Sequence, residues 1–331
     1  GVPFYVTVSI TILLIWLYTF KSGINTIVWT DTLQTLFMLL ALGITIVVIS
    51  EDLNFSPVNI IGYLSESEFS KMFFFEDWRS RDYFFKQFIS GAFIAIVMTG
   101  LDQDMMQKNL TCRNLKDAQK NMFWFTLVLT VVNFFFLALG VLLTDYAEIN
   151  GITERKDDLF PAIATSGELG IGVAVFFILG LIAAAYSSAD SALTALTTSF
   201  SIDILDIEKK YSEEKQVKIR KTIHIGISLL LIVVMLIFKY AIADKSVINE
   251  LFEFAGYTYG PLLGLYTYGL FTKWNVKDKL VPVVAILSPL LSYIISINSL
   301  VWFGFEFGFF ILILNGLLTF LGLVLIRSKH N

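Results

Sequence analysis

The stretch that decides the fold lies at residues 170–200 and reads GIGVAVFFILGLIAAAYSSADSALTALTTSF. Its first half is apolar almost without interruption, and the whole is longer than the roughly 20 residues that a helix needs to cross a bilayer. Its second half carries hydroxyl side chains and one carboxylate, Asp190. The stretch therefore predicts a membrane-spanning helix that places polar groups inside the membrane, where such groups usually serve a function.

Working outward, similar apolar stretches recur along the chain and predict an all-α, polytopic membrane helix bundle. We expect about nine transmembrane helices, at 3–20, 25–49, 84–103, 121–143, 170–200, 221–242, 248–272, 279–297 and 300–326.

Composition supports a membrane protein and excludes several other classes. Of the 331 residues, 56% are hydrophobic and 16% are charged, and the mean hydropathy is +0.72; soluble domains average about 25% charged residues. A net charge of -4 with no basic face argues against nucleic acid as a partner. One cysteine, Cys112, and two histidines, His224 and His330, leave little for a disulfide framework, a zinc site or a Ser-His-Asp triad. We expect no enzyme, no cofactor and no obligate protein partner.

Charged residues between the spans predict the orientation. Lys and Arg collect in the loops 104–120, 202–220 and 272–279, whereas the loops 50–83 and 144–169 are rich in Asp and Glu. Because cytoplasmic loops carry the excess of basic residues, we expect a multi-pass cell-membrane protein with a cytoplasmic C-terminus. Since Gly1 leads almost directly into a span, we also expect a segment of a longer protein.

Two polar groups at similar predicted depth are candidates for an ion site. Ser187, Ser191 and Thr194 share one helix face with Thr198, and Asp190 adjoins that face. Helix packing through small and hydroxyl residues would explain the face but not its carboxylate. Asp31 is either the N-cap of its helix or a second intramembrane carboxylate. Oxygen ligands of these types suit Na⁺, with a proton as the alternative.

Two interrupted stretches stay ambiguous. Gly256-Tyr257-Thr258-Tyr259-Gly260-Pro261 predicts a kink that is either structural or a functional hinge. Met98-Thr99-Gly100, ahead of Asp102-Gln103, has the same two readings.

Three motifs in order resemble those of the sodium/solute symporter family, over essentially the whole chain. They are Tyr18-Thr19-Phe20 with Trp29-Thr30-Asp31-Thr32-Leu33-Gln34, then Asp102-Gln103 with Gln107-Lys108, and then Ser187-Ser188 with Asp203-Ile204.

The resemblance implies a LeuT-like core of two inverted repeats, lacking its first helices here. It implies a single transmembrane transporter domain over 1–331. Within it, 1–49 would end the first repeat, 84–272 would form the second, and 279–326 would be peripheral helices.

The resemblance also implies site residues. The coupling Na⁺ would be bound by Ala184, Ser187 and Ser188. Asp31, Asp190 and Ser191, with Ser187, match a second Na⁺ or proton site, although the family has serine where Asp190 stands. Met98, Thr99 and Phe252 fall at substrate-binding positions. With Ala95 and Leu129, they stand where sugar-transporting members carry polar, aromatic or charged residues, which weighs mildly against a sugar.

The function that follows is sodium-coupled import of a small organic solute, with Na⁺, the solute and membrane lipid as partners. A proton-coupled symporter and a transporter-like membrane sensor without transport are the alternatives.

Overall fold

The computed structural model describes residues 3–19, 24–154, 156–241 and 247–328. Within those ranges the chain is helical, and its only β-type pairing is an isolated bridge between Val276 and Arg327. The helices are α1 (Phe4–Thr19), α2 (Ile24–Asp52), α3 (Ile60–Glu66), α4 (Phe84–Ala95), α5 (Gln103–Leu110), α6 (Leu115–Asn150), α7 (Leu159–Thr165), α8 (Gly170–Ser199), α9 (Ile207–Lys210), α10 (Glu213–Ala241), α11 (Val247–Phe271), α12 (Val281–Phe303) and α13 (Ile311–Leu325). Two π-helical turns, Ile96–Gly100 and Phe200–Ile204, extend α4 and α8.

A helix occupies the position of every predicted span. In the described part of the chain, 6 helical segments are long and apolar enough to cross a membrane. They are Asp31–Asp52, Leu115–Asn150, Gly170–Ile204, Glu213–Tyr240, Asp278–Phe303 and Gly308–Leu325. Phe4–Trp16 and Phe84–Gly100 are apolar but shorter, and α11 is long but rich in tyrosine. The protein is a multi-pass membrane protein.

One detail of the sequence prediction is wrong, and one of the two alternatives for Asp31 is excluded. The last span does not begin at residue 300, because α12 continues to Phe303 and ends at Gly304, whose φ of 59° is the left-handed value that favours glycine at a helix end. Asp31 is not an N-cap, because α2 begins seven residues earlier, at Ile24.

The described chain divides into two compact units. The first unit comprises Gly1–Ser70 and Gln119–Asp244, and the second comprises Lys71–Ala118 and Lys245–Asn331. The expected division into repeats stays a prediction.

The core of the first unit surrounds α8. At one end, Val173 packs with α2, α6 and α7 through a cluster that includes Ile49, Leu142 and Ile163, all less than 2% exposed. At the other end, Ala189 and Leu193 pack against α1. The α1 stripe is Val8, Ile12 and Ile15. Between these two contacts, the polar residues Ser187, Asp190 and Ser191 of α8 are buried.

The second unit is built on the parallel pair α11 and α13. Gly256, Gly260 and Gly264 recur every fourth residue on α11, and a Cβ atom at each would overlap Ile311, Asn315 and Thr319 respectively. Glycines at this spacing let membrane helices approach closely. Asn315 Nδ2 also donates to the carbonyl oxygens of Gly256 at 3.1 Å and Tyr257 at 2.8 Å.

That asparagine explains how α11 continues through Pro261. A proline within a helix has no N–H, so it leaves the carbonyl four residues earlier, here that of Tyr257, without its helical partner. Asn315 supplies the missing donor from α13. The helix is therefore continuous where the sequence left open a kink or a hinge.

A buried lysine connects three segments of the second unit. Lys86, at the start of α4, is 6% exposed, and its Nζ donates to the main-chain oxygens of Ser80 at 2.7 Å, Arg79 at 3.3 Å and Glu306 at 2.6 Å. The same nitrogen lies 3.7 Å from the ring centroid of Phe305. The lysine thus joins α4, the segment before it and the connection between α12 and α13.

Candidate functional site

The antiparallel contact between α2 and α8 positions the candidate ion site. Gly180 lies against the backbone of Met38, where a Cβ atom would be 3.4 Å from Met38 Cα. Seven residues onward on α8 and seven back on α2, Ser187 meets Asp31. Seven residues make two helical turns, about 10.5 Å on each helix. The close approach at Gly180 therefore sets the register that brings the serine to the carboxylate.

Ser187 and Asp31 are joined directly. The Ser187 hydroxyl donates a hydrogen bond to Asp31 Oδ1. Ser187 is 5% exposed, whereas Asp31 is half-buried. The structure thus brings together two residues that are 156 positions apart in the sequence.

Asp190 and Ser191 continue this side of α8. Asp190 is fully buried, and Thr194 Oγ1 lies 3.5 Å from its Oδ1. Because residues three apart on a helix are neighbours, Asp190 lies one turn from Ser187. Ser191 is 7% exposed, and its hydroxyl has no hydrogen-bond partner among the described residues. The result is a carboxylate and two hydroxyls on adjacent turns, next to a second carboxylate from α2.

The other two residues expected at the sodium site lie elsewhere on α8. Ala184 is half-buried and lies one turn before Ser187, while Ser188 is exposed in the described structure. Adjacent helical residues point about 100° apart, so Ser188 is directed to one side of the contact between Ser187 and Asp31.

The three expected substrate residues lie on two elements, and Met98 and Phe252 have different neighbours. Met98 and Thr99 are half-buried in the π-helical turn after α4, and Met98 packs against a core of Val97, Leu263 and Leu312. Phe252, on α11, packs edge-on against Phe309 with ring centroids 5.7 Å apart.

Sequence reasoning missed two polar pairs between helices. In the second unit, the Tyr259 hydroxyl donates to Asp102 Oδ2 at 3.0 Å, which joins α11 to the end of the π-helical turn after α4. In the first unit, Thr197 Oγ1 and His224 Nδ1 are 3.0 Å apart, which joins α8 to α10. The sequence contains each residue but carries no signal of the pairings, because each depends on helix register.

The oxygen-bearing side chains brought together by α8 and α2 are of the type that binds hard cations. Carboxylate and hydroxyl oxygens are ligands for small hard cations, and polar groups this deep in a bilayer are costly unless they have partners. The two carboxylates would repel if both were ionised and near each other, and a cation between them relieves that repulsion.

Comparison with known proteins gives the class. The model of the sodium:solute symporter family matches residues 1–275. The chain therefore belongs to the sodium:solute symporter family, a family of transporters rather than enzymes.

Two relatives are named as transporters of one solute. The chain is 26% identical over 286 residues to the sodium/sialic acid symporter NanT of Aliivibrio fischeri, covering 83% of this chain and 55% of that protein. It is 25% identical over 287 residues to the sodium/sialic acid symporter SiaT of Proteus mirabilis, covering 82% of this chain and 55% of that protein. The chain thus spans about half the length of these relatives.

A solved structure shows the fold. The substrate-bound, outward-open state of a Na⁺-coupled sialic acid symporter superposes with a TM-score of 0.77, at 21% identity, over 100% of this chain and 69% of that one. The fold is therefore the LeuT-like helical fold expected from the sequence.

Proposed function

We propose that the protein is a sodium-coupled symporter that imports a small organic solute across the cell membrane. The observation that carries the proposal is the hydrogen bond between Ser187 and Asp31, with Asp190 buried one turn away. It places oxygen ligands from two helices together within a family of sodium:solute symporters.

In the proposed site, Na⁺ is bound by oxygens of α8 and α2. Ser187 contributes its hydroxyl to the coupling ion together with Ala184 and Ser188, and it also borders a second position formed by Asp31, Asp190 and Ser191. The hydroxyl of Ser191, buried without a described partner, supports a ligand at that second position.

Sialic acid is the first solute to test, because both relatives above are named for it. Met98, Thr99 and Phe252 are the proposed solute contacts, through their expected positions on α4 and α11. Sialic acid is a sugar acid, so this choice rests on the two named relatives and runs against the sequence-based indication that these positions disfavour a sugar.

The experiment that tests sodium coupling is uptake by the full-length protein in proteoliposomes as external Na⁺ is varied. Changing Ser187→Ala should raise the Na⁺ concentration for half-maximal uptake on the order of tenfold, since a buried partner left unsatisfied costs about 1–3 kcal/mol. Ser188→Ala should raise it as well.

The matched control is Ser9→Ala on α1, whose hydroxyl donates only to the carbonyl of Tyr5 in its own helix, at 2.8 Å. This variant should keep the wild-type sodium dependence. Unaltered sodium dependence in both the Ser187 and Ser188 variants would place the ion elsewhere.

Asp190→Ser tests the second position. Because serine removes a buried negative charge but keeps an oxygen, we expect weaker Na⁺ binding and a lower ratio of Na⁺ to solute transported. An unchanged ratio together with an unchanged pH profile would remove Asp190 from the site.

The orientation is tested by labelling single cysteines from each side of the membrane after Cys112 is replaced. Glu66→Cys, on α3, should react from outside, and Lys215→Cys, on α10, should react from the cytoplasm. Labelling from the same side would contradict the proposed topology and the cytoplasmic C-terminus.

A further inference from the structure

The polar face of α8 continues past the candidate ion site to the end of the helix. Its members recur at intervals of three and four residues and therefore lie along one side of the helix. They are Ser187, Asp190, Thr194, Thr197 and Ser201. Ser201, on the π-helical turn, is fully buried, and its hydroxyl donates to the carbonyl of Thr197.

One titratable group in contact with this face near its end is His224 on α10. Its Nδ1 lies 3.0 Å from Thr197 Oγ1, and the residue is 8% exposed. Its Nε2 is buried with no hydrogen-bond partner among the described residues. The Ser228 hydroxyl does not bond to Nε2, because it donates to the carbonyl oxygen of His224.

The charges around His224 come from α10 itself and from the elements that pack against it, which are α1, α8, α9 and the π-helical turn Phe200–Ile204. Several of these charges already have partners: Arg220 pairs with Glu208 at 3.1 Å, and Asp203 accepts from Ser199 at 2.8 Å. Besides His224, the titratable groups on those elements are Tyr5 and Tyr18 on α1, Tyr186 and Asp190 on α8, Asp203 on the π-helical turn, Glu208, Lys209 and Lys210 on α9, and Glu213, Glu214, Lys215, Lys218, Arg220, Lys221, Lys239 and Tyr240 on α10.

Distance allows His224 to influence the ion site without touching it. Thr197 lies seven residues beyond Asp190 on the same helix, an axial separation of about 10 Å. Thr194 lies between them, with its hydroxyl 3.5 Å from Asp190 Oδ1. Thr194 and Thr197 thus place two hydroxyl groups on α8 between the carboxylate and the imidazole, beside the apolar contact of Ala189 and Leu193 with α10.

We propose that His224 is a proton-binding site and that its imidazolium charge opposes Na⁺ at the α8 site, so that acid pH lowers sodium affinity. This inference rests on the proposed function. Histidine changes charge between about pH 5 and pH 8. Two positive charges about 10 Å apart, at an effective dielectric constant of about 20, change an affinity on the order of tenfold. Protons would reach His224 from the side of the membrane where α8 ends and α10 begins.

The test measures Na⁺ binding rather than transport. Purified full-length protein in detergent is titrated with NaCl at constant ionic strength, with intrinsic tryptophan fluorescence as the signal, at about pH 5 and about pH 8, the two ends of the range in which histidine changes charge. For the wild type, the Kd for Na⁺ should be on the order of tenfold higher at the acid pH. For His224→Gln, the two Kd values should be equal.

Two further variants complete the design. His330→Gln changes the other histidine of the chain and should retain the wild-type response to pH. Thr197→Val removes the oxygen that accepts a hydrogen bond from a protonated ring, and such charge-assisted bonds are the stronger ones. Its pH midpoint should therefore move to more acid values, and this variant decides the matter should His224→Gln fail to fold.

The outcomes separate the two proposals. If His224→Gln keeps the wild-type change in Kd, or Thr197→Val keeps the wild-type midpoint, His224 is not the proton site and sodium coupling still stands. If the wild type binds no Na⁺ at either pH, the proposed function itself fails, and the inference about His224 fails with it.

Discussion

Two helix pairs, one in each unit, use glycine differently. In the antiparallel pair α2 and α8, Gly180 allows an ordinary contact with the Met38 backbone, and polar side chains meet two turns away. In the parallel pair α11 and α13, three glycines each receive a side chain, and Asn315 bonds to the α11 backbone itself. In the first pair the polar side chains bond to each other between the helices, whereas in the second the polar side chain bonds to the backbone of the neighbouring helix. A polar residue inside a membrane span can serve to bond the backbone of a neighbouring helix, as Asn315 does. Its contacts with backbone groups must therefore be known before it is taken as evidence of function.

The largest effect should come from Gly260→Ala. Its Cβ atom would overlap the Asn315 side chain, which is fully buried and fixed by two hydrogen bonds. Overpacking of this kind costs about 2–3 kcal/mol, so the apparent melting temperature in detergent should fall by several degrees. Gly269→Ala on the same helix, where nothing lies within 4 Å, is the control and should melt like the wild type. Equal melting of both variants would mean that the α11–α13 contact is looser than described.

A smaller effect is expected for Asn315→Leu. It removes both hydrogen bonds to α11 and should destabilise the protein by about 1 kcal/mol, typical of polar contacts between membrane helices. Asn298→Leu is the matched control, since its amide donates only to Ile294 of its own helix, at 2.8 Å.

The same asparagine allows a double-mutant cycle. In Pro261→Ala, the restored N–H can donate to the carbonyl of Tyr257. Asn315→Leu should therefore lower the stability of the Pro261→Ala protein less than it lowers the stability of the wild type. Melting temperatures of the four proteins give the coupling directly. Additive losses would show that Asn315 does not compensate for Pro261.

The smallest effect should come from Gly180→Ala. A Cβ atom 3.4 Å from Met38 Cα is in ordinary contact, so stability should hardly change. The variant should still raise the Na⁺ requirement for uptake slightly, since a small shift at Met38 moves Asp31 relative to Ser187. Gly43→Ala, with open space around it, controls for the added methyl group. Equal melting temperatures for Gly180→Ala and Gly260→Ala would contradict the difference in glycine packing between the two helix pairs.

Hydropathy and spacing were sufficient to predict the helices and the polar face of α8, because both are properties of one segment. Where one apolar segment follows another, as at Gly304, composition could not locate the boundary, since a single glycine in the left-handed conformation ends the helix there.

The pairings between segments could not be predicted from those properties. Asp31 and Ser187 were both candidates, but their contact depends on the approach at Gly180. Asn315 lies alone in an apolar stretch, and the sequence does not show that its amide bonds to the Tyr257 carbonyl, which Pro261 leaves without a helical donor. His224 was considered for metal binding and catalysis, whereas the structure places it against a threonine of another helix. The roles of the ion-site residues stay predictions.

The buried Lys86 has a mechanical consequence for the second unit. Its ammonium group holds three main-chain oxygens, two in the segment before α4 and one in the connection between α12 and α13. Glu306 N–H also donates to the carbonyl of Arg79 at 3.1 Å, so more than one hydrogen bond joins the two connecting segments. The first turn of α4 cannot tilt without pulling on that connection. Any movement of α4 would therefore be transmitted through this connection to α12 and α13.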